Sequence, residues 1–179
     1  MSGVRRLAVL AVLVAAAGVA LLLVPAPRRL AGPERVRGPA VLRVQEAQVR
    51  AVVVRLGSRT VAASRTPAGW VANGRSAPLP LAEALDALVA MLARLRAVHA
   101  FRAPDLAPFG LDAPRATVTV EGPRGARVLH LGRYDSAGST IYARRDGDPR
   151  IFRVGVALQS ALERVLYHAE QAERATSSR

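Results

Sequence analysis

The sequence predicts an α+β protein: an N-terminal transmembrane helix, then one mostly antiparallel sheet domain carrying two amphipathic helices. Three observations predict it. An uncharged apolar run, Leu7 to Val24, stands at the start. Two later stretches, Leu81 to Val98 and Val156 to Ala175, place their apolar residues at helical spacing. Around them lie short alternating segments punctuated by Gly, Pro and Asp, as antiparallel strands joined by tight turns require. The boundaries that follow are an anchor with basic flanks at 1–29, a linker at 30–40, the α+β domain at 41–175 and a tail at 176–179.

The 18 residues from Leu7 to Val24 are Leu, Val, Ala and one Gly, near the short end of what crosses a bilayer as a helix. Arg5 and Arg6 precede them, and Pro25-Ala-Pro-Arg28-Arg29 closes them; the prolines stop a helix and the arginines can snorkel to head groups. A cleaved signal peptide would share the basic start and the apolar stretch. Its cleavage sites are poor, however: Val24-Pro25-Ala26 is followed by Pro27, and Gly18-Val19-Ala20 lies inside the run. An uncleaved anchor in contact with membrane lipid through residues 7–24 is the expectation.

Orientation draws conflicting arguments. Arg28, Arg29, Arg35, Arg37 and Arg43 outnumber Arg5 and Arg6, so a positive-inside count keeps the C-terminal domain in the cytoplasm. Long domains, in contrast, translocate largely regardless of charge.

After the linker, Val41 to Leu56 is β-like and fits two strands or one bent strand. Arg59 to Ser64 reads as a strand, and Thr66-Pro67-Ala68-Gly69 as a turn in which Pro fixes φ and Gly permits positive φ. Trp70, the only Trp, opens a short segment that Asn73-Gly74 ends. In the first helix Leu81, Leu85, Leu88, Val89, Leu92 and Leu95 share one face, with acids ahead of arginines as the helix dipole favours. Phe101 ends a short strand, and a Pro-punctuated connection leads to "FGLDAPRATVTV". There Phe109 and Leu111 are expected to bury, Gly110 to take positive φ, Asp112 to bond nearby backbone N–H groups and Pro114 to keep Ala113 extended. Four strands then form a meander: Ala116–Glu121, Ala126–Leu131, Ser139–Arg144 and Arg150–Val154, with turns at Gly122-Pro123-Arg124-Gly125 and Asp146-Gly147-Asp148. The closing helix buries Leu158, Leu162, Val165, Leu166 and Ala169. Strands then helix, twice over, place helices against a mostly antiparallel sheet.

Composition limits the chemistry. Hydrophobic residues make up 51% of the chain and aromatic ones 4%, so the core is built from Ala, Val and Leu in a thin two-layer domain. The absence of Cys excludes disulfides, thiolate nucleophiles, Cys-ligated zinc and lipoprotein attachment. All 26 basic residues are Arg and the net charge is +13, which with so much Ala reads as codon bias in a GC-rich genome. Residues 30–179 still carry a surplus of +9, being 22 Arg against 13 acids. These arginines are spread over every element with few aromatics to stack bases, so nucleic acid is not the expected partner. Arg28, Arg29, Arg35 and Arg37, beside the apolar run, suit anionic lipid better.

No motif names a reaction. His99 at a helix end, His130 in a strand and His168 on the last helix lack metal-ligand spacing, and no metal or cofactor is expected. Asp146-Gly147-Asp148 lacks the further ligands of a calcium loop and reads as a hairpin turn. Asp135-Ser136-Ala-Gly138-Ser139-Thr140 gathers hydroxyls and a carboxylate without the elbow and histidine of a serine hydrolase. Gly122–Gly125 and Gly132-Arg133 are no phosphate loop.

The order "GW" at Gly69-Trp70, "LAEALDALVAMLARLRAV", "FGLDAPRATVTV", "VLHLGRYDSAGSTIYARRDGD" and "IFRV" resembles the bacterial family called domain of unknown function 4340, from about Val41 to Val165. The resemblance implies a membrane-anchored protein facing the periplasm or cell exterior, in the company of ABC-type transport or gliding-motility components. It implies no activity and no site residue. Relatives often carry more than one copy, whereas one fits here. The expectation is therefore a non-enzymatic, single-pass inner-membrane protein whose module binds a protein partner in an envelope complex. The alternatives are an envelope enzyme with an unrecognised site and a module that binds anionic lipid or polymer.

Overall fold

A computed structural model describes residues 38–177 of the chain. The expected anchor at residues 7–24 and its basic flanks Arg5, Arg6, Arg28 and Arg29 lie outside them. Among the described residues no helix is long and apolar enough to cross a membrane.

The strands are β1 (Ala51–Leu56), β2 (Arg59–Thr66), β3 (Gly69–Ala72), β4 (Arg75–Ser76), β5 (His99–Phe101), β6 (Ala116–Gly122), β7 (Gly125–Tyr134), β8 (Thr140–Arg145) and β9 (Ile151–Gly155). The helices are α1 (Leu79–Arg94) and α2 (Ala157–Ser177). All nine strands join one sheet in the order β4-β3-β2-β1-β6-β7-β8-β9-β5, and every pairing is antiparallel. The fold class is therefore α+β, with one large antiparallel sheet and two helices.

Alternation decides which face is buried. Val52 and Val54 of β1, Val118 and Val120 of β6, and Leu129 and Leu131 of β7 point to one side and are almost fully buried. Leu81, Leu85, Leu88 and Leu92 of α1 and Leu158, Leu162 and Leu166 of α2 meet them in the same cluster. Among the described residues Trp70 and Phe152 are its only rings, so the core is aliphatic as the composition requires. On α1, Asp86 accepts a hydrogen bond from Trp70 Nε1 at 2.9 Å and a second from Arg65, whose guanidinium lies 4.8 Å from the Trp70 ring centre. This couples the helix to β2 and β3. Asp86→Ala is expected to lower stability by about 1 kcal/mol, since water reaches the exposed carboxylate site. A shift in Trp70 fluorescence together with the unfolding midpoint checks it.

Several expectations need correction. Val41 to Leu56 holds one strand, because Arg43 takes φ 53° and Glu46–Gln48 forms a 3-10 turn before β1 begins. The helix expected to reach Val98 ends at Arg94, although Leu95 keeps its apolar spacing. Beyond it the backbone pairs with the entering chain: Val41 N donates to Leu95 O and Ala97 N to Pro39 O, each at 3.0 Å. Long-range pairing thus outweighs local periodicity. Pro39 and Ala40, read as the linker's end, belong to this pairing, and Val41 and Leu42 are completely buried. No acid occupies the first turn of α1, since the helix starts two residues earlier than the apolar pattern does. The strand β4 is too short to show a period.

Part of the opposite face is covered too. Residues between β5 at the sheet edge and β6 near its centre form a 3-10 turn, Ala107–Phe109, that packs on β7. Phe109 lies 5.3 Å from Phe101 and 4.9 Å from Tyr142, edge to face. Leu111 and Ile151 are buried apart from the main core.

Candidate functional site

The polar side chains singled out by sequence fall into three groups. The first is built on the turn from β7 to β8. Asp135 Oδ1 accepts the backbone N–H groups of Ser139 and Thr140, each at 3.0 Å. Its Oδ2 accepts Arg153 Nη2 at 2.6 Å, and Arg153 Nε donates to Thr140 Oγ1 at 3.1 Å. The Thr140 amide is the main cause holding the Asp135 carboxyl below its usual range; burial opposes it, and Thr140 Oγ1, Arg153 and the Ser139 amide assist. The oxygens that sequence left open for chemistry are thus committed to a turn and a neighbouring strand. No hydrogen bond joins a histidine to Ser136, Ser139 or Thr140 among the described residues.

The second group closes the turn from β8 to β9. Asp148 accepts Arg145 Nη2 at 2.6 Å, Arg150 Nη2 at 2.8 Å, Arg150 Nε at 2.9 Å and the Arg150 amide at 3.0 Å. Gly147 takes φ 73°, the turn geometry expected of it. Arg145 Nη1 reaches on to the Val41 carbonyl at 2.7 Å, so the same carboxylate steadies the entering chain. The Arg150 guanidinium is the main cause that holds the Asp148 carboxyl far below its ordinary value against the cost of burial.

The third group pairs His130 Nε2 with Asp146 Oδ1 at 2.7 Å on the face away from the helices. His130 stands opposite Arg144 in the β7–β8 register. His130 Nδ1 and Arg144 Nε are buried without a partner. His99 is not at a helix end but opens β5, two strands from β8. His168 lies on α2 against Tyr167. Among the described residues no three His, Asp or Glu side chains gather as a metal set.

Sequence reasoning singled out the acids and missed their arginine partners. Arg145, Arg150 and Arg153 carry no local signal, being three among many arginines. Asp112 was expected to bond the backbone of its own loop; Asp105 does so instead, accepting the Ala107 N–H at 3.0 Å.

Fold and polar groups together define a two-layer α+β module whose buried carboxylates, Asp135 and Asp148, organise turns. A family model described as "Domain of unknown function (DUF4340)" matches residues 70–166, more than half of the chain. The chain belongs to that family. The match begins at Trp70, so the resemblance expected from Val41 is carried from β3 onward. No curated protein and no solved structure matches the chain.

Proposed function

We propose that this is a single-pass membrane protein whose extracytoplasmic α+β module serves as a non-enzymatic accessory component of a cell-envelope complex, with an ABC-type transport assembly as the first to test. The observation that carries the reading is the uncharged run Leu7–Val24, long enough to span a bilayer, joined through residues 25–37 to the described domain. The commitment of Asp135 and Asp148 to structural arginines and turn amides supports an interaction role over hydrolysis.

Two measurements test it. A reporter fused after Arg179, active on one side of the membrane only, is expected to be active outside the cytoplasm. Crosslinking in membranes is expected to recover the chain with transport or other envelope subunits. Activity on the cytoplasmic side, or recovery solely as an isolated monomer, overturns the proposal.

A further inference from the structure

Where the chain enters the sheet, arginines gather around two acids, Glu121 and Glu46, the latter paired with Arg94. Arg43 and Arg50 lie on the entering segment, and Arg124 and Arg127 lie at the β6–β7 turn. Backbone pairing holds Arg50 beside the β6–β7 turn: Arg50 N donates to Glu121 O at 2.8 Å, and Gly122 faces Gly125 across the turn. Arg43, Arg124 and Arg127 line one small cavity of about 70 Å3 with Gln45 and Gln48. Among the described residues none of the four arginines pairs with a carboxylate, so each keeps its charge for a partner. Of the described residues along the cavity, Glu121 is the one acid.

We infer that this end of the domain seats on an anionic bilayer surface through Arg43, Arg50, Arg124 and Arg127. The inference rests on the anchoring proposed above. Charge complementarity selects the partner: among its described residues the patch has guanidinium groups for lipid phosphates and no aromatic ring on which a base could stack or a protein anchor could form. Chain length permits the contact. Thirteen residues, 25–37, separate the apolar run from Gly38, and extended they reach at most about 45 Å. Those residues add Arg28, Arg29, Arg35 and Arg37 against Glu34 alone, so the positive charge continues from the run into the fold.

The absence of Cys allows a single dye to be attached at Ala126→Cys, on the basic end, or at Ser58→Cys, in the β1–β2 turn at the other end. The full chain is placed in nanodiscs of phosphatidylcholine, or of equal parts phosphatidylcholine and phosphatidylglycerol, with an energy-transfer acceptor on the lipid head groups. Transfer is expected to be strong from position 126 and weak from position 58 in the anionic discs. That contrast is expected to vanish in phosphatidylcholine and in high salt, where screening shortens the reach of each charge. Each Arg→Gln substitution is expected to weaken seating about fivefold, and the quadruple variant to abolish the contrast while keeping its unfolding midpoint. Equal transfer from both positions in a retained chain, or the same contrast without anionic lipid, overturns the seating while leaving the anchor standing. Release of the chain from the discs by alkaline wash overturns the anchoring and the seating with it.

Discussion

Gly132→Ala is expected to destabilise the domain by about 3 kcal/mol, enough to lower its unfolding midpoint by roughly 10 °C. The cause is a close approach of two backbones. A Cβ built on Gly132 would stand 2.1 Å from the carbonyl oxygen of Phe109 and 3.0 Å from the backbone of Gly110. Neither atom belongs to a flexible side chain, so strand or turn must move. The turn has little room to do so. Gly110 is itself in the left-handed region at φ 65°, and a Cβ there would crowd the Arg133 backbone N at 3.1 Å. Leu111 N donates to Leu106 O at 3.2 Å and Arg133 Nη1 to Pro108 O at 3.1 Å, pinning both ends of the turn. The β7–β8 register shifts between Leu131 and Tyr134, where β7 receives this turn. Denaturant unfolding followed by Trp70, the only Trp and 4% exposed, measures the effect. Gly155→Ala is the control: nothing lies within 4 Å of its Cβ position, and a change under about 0.5 kcal/mol is expected. Equal effects at the two glycines would remove the close-approach argument.

The same stretch measures what a sequence can reveal. The alternation Ala116-Thr-Val118-Thr-Val120 was legible because burial there is one-sided, and those three side chains are at most 3% exposed. Gly110 was legible because a non-glycine residue rarely takes positive φ. What the turn packs against was not legible, since Gly132 lies 22 residues further on and shows no local pattern. The end of α1 failed for a related reason. Leu95 continues the helical spacing, and only pairing of residues 95–97 with residues 39–41 stops the helix.

Candidate sites follow the same division. Asp135 and Asp148 stood out as acids among Gly and Ser, which identifies turns. Their chemistry, however, is decided by Arg153, eighteen residues from Asp135, and by Arg145 and Arg150 around Asp148. In a chain whose basic residues are all Arg, no single arginine announces a partner. The His130–Asp146 pair likewise needs the β7–β8 register to bring together residues sixteen apart.

Asp148→Asn is the second large effect, about 3 kcal/mol at neutral pH. Asp148 and Arg145 side chains are 5% and 13% exposed, so removing the negative charge leaves the Arg145 guanidinium in a poorly hydrated site. Arg150, a third exposed, can turn to solvent, which keeps the loss at the lower end of the range for a broken buried pair. An amide also presents N–H groups to donors that need an acceptor. Because Arg145 also holds the Val41 carbonyl, hydrogen exchange in residues 39–42 is expected to quicken in the variant. The pH dependence separates charge from shape. The folded-state carboxyl of Asp148 titrates below its unfolded value near 3.9, so its contribution is complete above that value and is lost as pH falls toward the folded value. Wild type is therefore expected to lose stability more steeply than Asp148→Asn between about pH 5 and pH 2, and the gap between them to shrink with acid. The variant keeps a residual slope, because Asp135 is shifted in the same direction by its own turn amides and Arg153. A gap that stays constant down to pH 2 would mean that the substitution acts through packing alone, and the guanidinium pair would then contribute nothing to holding the β8–β9 turn.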